Sequence, residues 1–163
     1  MTPVSSRCGS CVKVLLAVSV LLLGGAAPAW AQAGVRGGVS DDPDQFYIGG
    51  HFETDALVDR LHFRPNVEVG IGDDLVTTAL NFEFVYKFPT RSPWGLYAGG
   101  GPAVNFYSYD HDNGNGRDGD DTETEGGLNF LFGAEHRNGL FFEIKVGAID
   151  SPDLKFGVGW TFR

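Results

Sequence analysis

Apolar and polar residues alternate along most of the chain. In its last ten residues, LKFGVGWTFR, large apolar side chains occupy every second position, and mainly glycines, a lysine and a threonine stand between them. This period of two is typical of a β-strand, whose successive side chains point to opposite faces of the sheet. Seven earlier runs share it, so the sequence predicts eight strands, at roughly residues 34–40, 45–54, 60–70, 75–88, 94–109, 126–136, 139–148 and 153–162.

Short strands that follow one another through turn residues predict an antiparallel sheet. Such a sheet has two exposed edges, and closure into an up-and-down barrel removes both. A strand of about ten residues, rising about 3.3 Å per residue and tilted near 40°, spans about 25 Å, the height of the apolar band of an outer-membrane barrel. The predicted fold class is therefore all-β, an eight-stranded antiparallel up-and-down transmembrane β-barrel.

The two faces of the predicted strands differ in character. One face is rich in Phe, Leu, Ile and Val and carries no charged residue. The other carries glycines, asparagines, His51 and His62, together with five basic and five acidic residues. These charged residues are Arg36, Arg64, Lys87, Lys145 and Lys155 with Glu53, Glu68, Glu83, Glu135 and Glu143.

Two kinds of barrel fit this alternation. A soluble, lipocalin-like barrel would enclose the apolar face and bind a hydrophobic ligand, whereas a membrane barrel would turn that face toward lipid. The membrane barrel is favoured because glycines suit a crowded lumen, because balanced charges can pair inside it, and because aromatic residues collect at the ends of the runs, as interface girdles do. The ten charged residues are accordingly predicted to line the lumen.

The N-terminal segment predicts export. Arg7 and Lys13 precede an apolar run at residues 14–23, and an Ala-Trp-Ala triplet ends at Ala31. This arrangement is typical of a secretory signal peptide, and the run is too short to cross a membrane as a helix. We expect a signal peptide at residues 1–31 and a barrel domain at residues 32–163. Cys8 and Cys11 fall within the predicted signal peptide, so their CxxC pattern has no expected redox role.

The predicted mature chain is strongly acidic. Without Arg7 and Lys13 it keeps ten of the 12 basic residues and all 21 acidic residues, which gives a net charge of −11. Nucleic acid is not an expected partner, because phosphate binding needs clustered lysines and arginines.

The last strand resembles a known assembly signal. Lys155, Gly157, Trp160 and Phe162 match the polar-x-Gly-x-x-aromatic-x-aromatic pattern of the C-terminal β-signal of outer-membrane proteins, although Arg163 follows the usual terminal aromatic residue. The segments WGLYAGGGPAVNFY, GGLNFLFGAEHR and GLFFEIKVG are similar to the second half of the small OmpA/OmpX-like outer-membrane barrels. The resemblance implies insertion by the barrel-assembly machinery, a place in the outer membrane of a Gram-negative-type envelope, and both chain ends in the periplasm.

That orientation puts most of the acidic residues outside the cell. The outward connections carry 14 acidic residues and Arg117, a net charge of −13, while the periplasmic segments carry +2. The longest connection, DHDNGNGRDGDDTETE at residues 110–125, contains the only candidate metal ligands, Asp110, Asp112 and Asp118, but it does not meet the EF-hand spacing. We expect a solvated acidic loop near lipopolysaccharide and the cations that bridge it. We expect no specific metal site in the protein and no cofactor.

Catalysis and conduction are not expected. Some small outer-membrane barrels modify lipid A with Ser, His and acidic residues, and Ser108 and His111 are the candidates here, but no deacylase-like HxSN run is present. Eight strands enclose a lumen that side chains nearly fill, so an open pore is not predicted. We predict a monomeric, non-enzymatic barrel that contacts outer-membrane lipid and acts in envelope integrity or surface interaction. A lipid A-modifying barrel enzyme and a soluble lipocalin-like binder are the alternatives.

Overall fold

The computed structural model describes residues 31–72, 75–109, 121–149 and 153–163. These residues form eight strands: β1 Ala31–Asp41, β2 Gln45–Thr54, β3 Leu61–Ile71, β4 Leu75–Lys87, β5 Trp94–Tyr109, β6 Asp121–His136, β7 Leu140–Ala148 and β8 Leu154–Thr161. Each strand pairs antiparallel with its neighbours in sequence, and β8 pairs with β1, so the sheet closes. Among the described residues no helix is long and apolar enough to cross a membrane. The predicted antiparallel up-and-down barrel of eight strands is confirmed.

The barrel has two rims, which differ in the connections that they carry. The loop rim carries the connections β1–β2, β3–β4, β5–β6 and β7–β8. The terminal rim carries the beginning of β1, the end of the chain and the connections β2–β3, β4–β5 and β6–β7. The β6–β7 turn at the terminal rim is tight, and Gly139 adopts a φ of +100° there, a conformation that favours glycine over any residue with a Cβ.

The start of β6 differs from the prediction. Residues 121–125, predicted to lie in the acidic loop, pair with residues 105–109 of β5. The high charge of this segment is typical of a loop, yet its Thr and Glu residues alternate with the period of a strand, and β5 is long enough to pair with them. The rest of the predicted loop, with Asp110, Asp112 and Asp118, lies outside the described residues.

The predicted signal peptide also lies almost wholly outside the described residues. β1 begins at Ala31, the last residue of that segment, and pairs from there with the end of β2. Cys8 and Cys11 belong to the part of the chain that is not described. The boundary between signal peptide and barrel therefore stays a prediction.

The outer wall of the barrel is apolar. Its large exposed side chains alternate along each strand with side chains that are buried. The soluble, lipocalin-like alternative requires this apolar face to line the interior, so that alternative is wrong. The exposed side chains of the wall include Val35, Val39, Phe46, Ile48, Phe82, Phe84, Phe130, Phe132, Phe142, Ile144, Phe156 and Val158.

The interior is mainly polar. Of the ten charged residues predicted for the lumen, nine are buried and Lys87 is half-buried. Buried asparagines, threonines and His51 accompany them. A small apolar cluster of Val85, Tyr97, Leu131 and Phe141 lies within this polar filling.

Two strands approach each other closely at Gly101 of β5. A Cβ atom at this position would collide with the carbonyl oxygen of Phe82 and the Cα of Glu83 on β4. The next residue, Pro102, lacks an N–H group, and the β4–β5 pairing is interrupted between Asn81↔Ala103 and Phe84↔Gly100. A glycine is therefore required where these backbones meet.

We expect Gly101→Val to lower the free energy of unfolding by about 1–3 kcal/mol, because the added side chain overpacks against the β4 backbone. The measurement is the urea midpoint of the barrel in detergent. Gly126→Val is the matched control, since a Cβ at Gly126 would meet nothing within 4 Å and valine favours strands. Equal midpoints for the two variants would contradict the close approach.

Candidate functional site

A central cluster of charges fills the middle of the barrel. It joins three glutamates, Glu68, Glu83 and Glu143, to three cations, Arg36, Lys145 and Lys155. The six residues come from β1, β3, β4, β7 and β8, and all are buried. Alternation along each strand turns these side chains inward, and closure of the sheet brings them together.

Each glutamate of the central cluster has more than one cationic partner. Glu68 lies 2.7 Å from Lys145 Nζ, 3.0 Å from Lys155 Nζ and 3.3 Å from an Arg36 nitrogen. Glu83 lies 2.6 Å from Lys145 Nζ and 3.9 Å from an Arg36 nitrogen, but it forms no well-directed hydrogen bond among the described residues, so the pairing of its charge holds it in place. No buried carboxylate of this cluster is left without a cation.

Glu143 is the most connected carboxylate of the central cluster. Arg36 and Arg64 donate to its two oxygens at 3.2 and 3.3 Å, and the Tyr97 hydroxyl donates at 2.9 Å. Lys145 Nζ lies 3.7 Å away. Because its partners come from β1, β3, β5 and β7 itself, Glu143 links opposite sides of the barrel.

Arg64 connects the central cluster to a second group of charges near the terminal rim. Its guanidinium donates two hydrogen bonds to Glu53, at 2.6 and 2.8 Å, in addition to the bond to Glu143. Lys87 also pairs with Glu53 and lies 2.8 Å from Glu135. Arg163 donates to Glu135 at 2.5 Å. The terminal cluster therefore comprises Glu53, Glu135, Lys87 and Arg163.

Arg163 pairs with an interior carboxylate, Glu135, and the sequence prediction misses this pair. The sequence pattern marks Arg163 as a departure from the usual terminal aromatic residue, and the charge count assigns it to the periplasmic segments. Its position continues the spacing of Lys155, Gly157, Gly159 and Thr161, so the alternation already indicates the inward side. Its exposed side chain bends over the barrel end to Glu135 and also donates to the Arg137 carbonyl at 3.0 Å.

Buried aromatic rings support the two central arginines, and the sequence prediction misses them too. Arg64 lies over the Tyr97 ring, 4.7 Å from its centroid, and Arg36 lies 5.5 Å from the Phe141 centroid. Such contacts add a cation–π attraction to the ion pairs. Tyr97 and Phe141 share the alternation of the glycines and glutamates beside them, which indicates the inward side. Their apolar rings nevertheless suggest the outer wall.

Three asparagines, on β3, β4 and β6, form a chain of hydrogen bonds inside the barrel. Asn129 donates to Asn81, and Asn81 donates to Asn66, both at 2.8 Å, while Asn66 donates to the Arg64 carbonyl at 3.3 Å. All three side chains are buried. They satisfy polar groups that would be costly to bury without partners.

The two interior histidines have separate partners. His51 Nε2 lies 3.1 Å from the Thr161 hydroxyl, and its ring packs edge-on against Phe141 with centroids 5.4 Å apart. His62 Nδ1 lies 2.8 Å from the Thr54 carbonyl, so it donates there, and 3.8 Å from Glu53. Alternation puts both histidines on the inward side, where Glu53 or Glu68 is the expected partner; His62 lies near Glu53, whereas His51 instead contacts a threonine of the last strand.

The residues of the predicted assembly signal lie on both faces of β8 and its end. Lys155 is buried in the central cluster, and Gly157 faces the Tyr47 hydroxyl inside the barrel. Trp160 and Phe162 are exposed on the outer wall near the terminal rim. Recognition of these residues during insertion stays a prediction.

The candidate metal ligands and the candidate serine–histidine pair lie partly or wholly outside the described residues. Among the residues that are described, no set of three His, Cys, Asp or Glu side chains is arranged to hold a metal ion. Ser108 is exposed near the loop rim, and its candidate partner His111 lies outside the described residues, as do Asp110, Asp112 and Asp118.

We expect Glu143→Leu to lower the free energy of unfolding by about 3–5 kcal/mol, because Arg36 and Arg64 would lose a buried counter-charge. The measurement is the urea midpoint in detergent. Glu123→Leu, at an exposed position of β6, is the matched control and should change stability by no more than about 0.5 kcal/mol. An unchanged midpoint for Glu143→Leu would refute the role of the central cluster.

Comparison with known proteins supports the fold. No protein-family model matches the chain, and no curated protein is similar to it in sequence. The structure is similar to that of Neisserial surface protein A (NspA), with a TM-score of 0.56 and 17% identity over 82% of this chain and 96% of that chain. A major outer membrane protein from Thermus thermophilus matches with a TM-score of 0.47 and 14% identity over 81% and 99% of the two chains, which is too distant to support an argument. The chain therefore has the fold of the small eight-stranded outer-membrane β-barrels, as its resemblance to the OmpA/OmpX-like proteins predicts.

Proposed function

We propose that this protein is a small, non-enzymatic barrel of the outer membrane whose interior is closed by ion pairs. The observation that carries the proposal is the distribution of its side chains: large apolar groups cover the outer wall, and paired charges fill the inside. Water would favour the reverse arrangement. A bilayer favours this one, since charged groups on a lipid-facing wall cost about 2–4 kcal/mol at the midplane.

The aromatic side chains of the wall support a position across a bilayer. Tyr86 packs edge-on against Phe88, and Trp94 stacks on Phe142 with centroids 6.0 Å apart. These rings lie at the terminal rim, where β4 and β7 meet their turns. Aromatic belts mark the two interfaces of membrane barrels.

The loop rim is the surface that would meet the outside of the cell. Acidic residues dominate it in the described turns and strand ends, where Asp41, Asp42, Asp44, Glu123 and Glu125 occur without a basic neighbour in the same segments. Together with the remaining outward connections, the sequence predicts a net charge of −13 there. A surface of this charge fits contact with the divalent cations that bridge lipopolysaccharide. We therefore assign the protein a role in envelope integrity or surface interaction.

The interior supports a structural role rather than a catalytic one. Its carboxylates already share several cations, and its histidines contact a threonine and a backbone carbonyl. Among the hydrogen bonds of the described residues, none joins a serine to a histidine, the contact that a serine nucleophile would require. Export by a signal peptide and insertion by the assembly machinery, as the sequence predicts, are part of the same proposal.

The proposed location predicts heat-modifiable gel mobility. Protein from the membrane fraction should give two bands in SDS, one from the folded barrel in the unboiled sample and one from the unfolded chain after boiling, because the closed sheet resists SDS when cold. A single band, with the protein in the soluble periplasmic fraction, would overturn the proposal.

The ion-paired interior predicts a closed barrel. Purified protein in planar bilayers should show no steady conductance, because the central cluster leaves its charges occupied and the lumen of eight strands is narrow. Open-pore currents that are absent when a boiled, unfolded sample is used would contradict a closed interior. They would not contradict the proposed membrane location.

A further inference from the structure

We propose that a cleft at the terminal rim binds the phosphate headgroup of a membrane phospholipid. The cleft has a volume of about 180 Å³ and lies among the β4–β5 connection, the β6–β7 turn and the last residue of the chain. The inference rests on the proposed function, because it needs this rim to lie at a membrane surface.

The lining of the cleft contains more cationic than anionic side chains. Lys87, Arg137 and Arg163 line the cleft, and Glu135 is the only side-chain carboxylate among its described lining residues. Glu135 already accepts from Lys87 at 2.8 Å and from Arg163 at 2.5 Å. Lys87 is also paired with Glu53, so the cation of the lining that pairs with no carboxylate among the described residues is Arg137.

Arg137 holds most of the free hydrogen-bonding capacity. Among the described residues, its side chain donates one long bond, 3.5 Å from Nη2 to the Arg91 carbonyl, and it is exposed. A guanidinium has five N–H donors in a planar fork, which suits two phosphate oxygens at once. Arg163 is likewise exposed and extends to the same cleft. An anionic oxygen group can therefore enter between the two arginines.

The lining of the cleft also includes apolar side chains. Phe88 and Leu96 are two of them, with 44% and 50% of their surfaces exposed, and both belong to the outer wall. A soluble phosphate ester gains nothing from such side chains, whereas the glycerol and first acyl carbons of a phospholipid can pack on them. Because the lining has both apolar and cationic side chains, it fits the phosphate of a lipid better than a soluble phosphate ester.

The depth of the cleft matches the headgroup level of a bilayer. Trp94 lies beside it, with its ring 4.9 Å from the ring of His136, which lines the cleft. Belts of Trp and Tyr lie where hydrocarbon meets headgroups. The phosphates of the leaflet at this rim therefore lie level with the cleft.

Trp94 provides the reporter for a direct test. In the full chain, Trp30→Phe and Trp160→Phe would leave Trp94 as the one tryptophan. This variant would be refolded into phosphatidylcholine vesicles that contain increasing fractions of brominated phosphatidylglycerol. The quenching of Trp94 fluorescence by bromine would give the association constant of the anionic lipid relative to phosphatidylcholine. We expect a preference for it of about fivefold or more, since an arginine near an anionic headgroup contributes on the order of a fivefold change. Arg137→Gln, alone and with Arg163→Gln, should reduce that preference toward unity.

Arg60→Gln is the matched control, because Arg60 lies in the β2–β3 connection of the same rim but does not line the cleft. An equal loss in Arg60→Gln and Arg137→Gln would overturn the site, because it would show attraction to the whole rim. Competition by soluble glycerol phosphate at millimolar concentration would overturn the lipid assignment in favour of a soluble ester.

The test separates this inference from the proposed function. Each variant would first be checked for heat-modifiable mobility, so that only folded, inserted barrels are compared. An inserted barrel without a preference for phosphatidylglycerol would overturn the cleft alone. A chain that inserts into no vesicle would instead overturn the membrane location.

Discussion

The pairing of charges inside a narrow closed sheet is the constraint on which the rest of this structure depends. Eight strands enclose a lumen just wide enough for side chains to fill, and the outer wall is apolar, so the charged side chains in the middle of the strands must turn inward. A charge buried there without a partner would be costly. The carboxylates Glu53, Glu68 and Glu143 accordingly each have at least two cationic neighbours.

These ion pairs join parts of the chain that backbone pairing does not join. Arg36 and Glu143 are 107 residues apart in sequence, and Lys155 and Glu68 are 87 apart. The strand ladders connect each strand only to its two neighbours, whereas Glu143 of β7 reaches β1, β3 and β5 across the lumen. The central cluster thus cross-links strands that backbone pairing leaves apart, and its loss is therefore expected to lower stability.

The two rims have different chemistry because they lack the constraint that governs the strands. Side chains of the loop rim are free to carry unpaired charge, and there the sequence is strongly acidic. The terminal rim is mixed: Glu135 gathers Lys87 and Arg163, Arg137 remains largely unoccupied, and aromatic rings stand beside them. The two ends of the barrel therefore differ in charge, one strongly acidic and the other mixed.

Alternation along the chain is enough to predict eight strands and to separate their two faces. It separates Phe130 and Phe132 from Asn129 and Leu131 without any tertiary information, because side chains of a strand alternate between faces. Alternation does not predict where β6 begins. The high charge of residues 121–125 suggests a loop, and only their pairing with β5 shows that they belong to the strand. Alternation does place Tyr97 and Phe141 on the inward side, but their aromatic rings suggest the outer wall, because such rings fit both a lipid-facing wall and a packed lumen.

The tertiary structure determines which charged side chains pair with each other. Alternation places Arg64, Glu53 and Glu143 on one face, but their partners depend on the tilt and stagger of strands distant in sequence. The same geometry brings Arg163, at the very end of the chain, over Glu135 and creates the cleft beside Arg137. The two-residue period of the backbone thus sets the faces from sequence, whereas contacts across the lumen exist only once the sheet has closed.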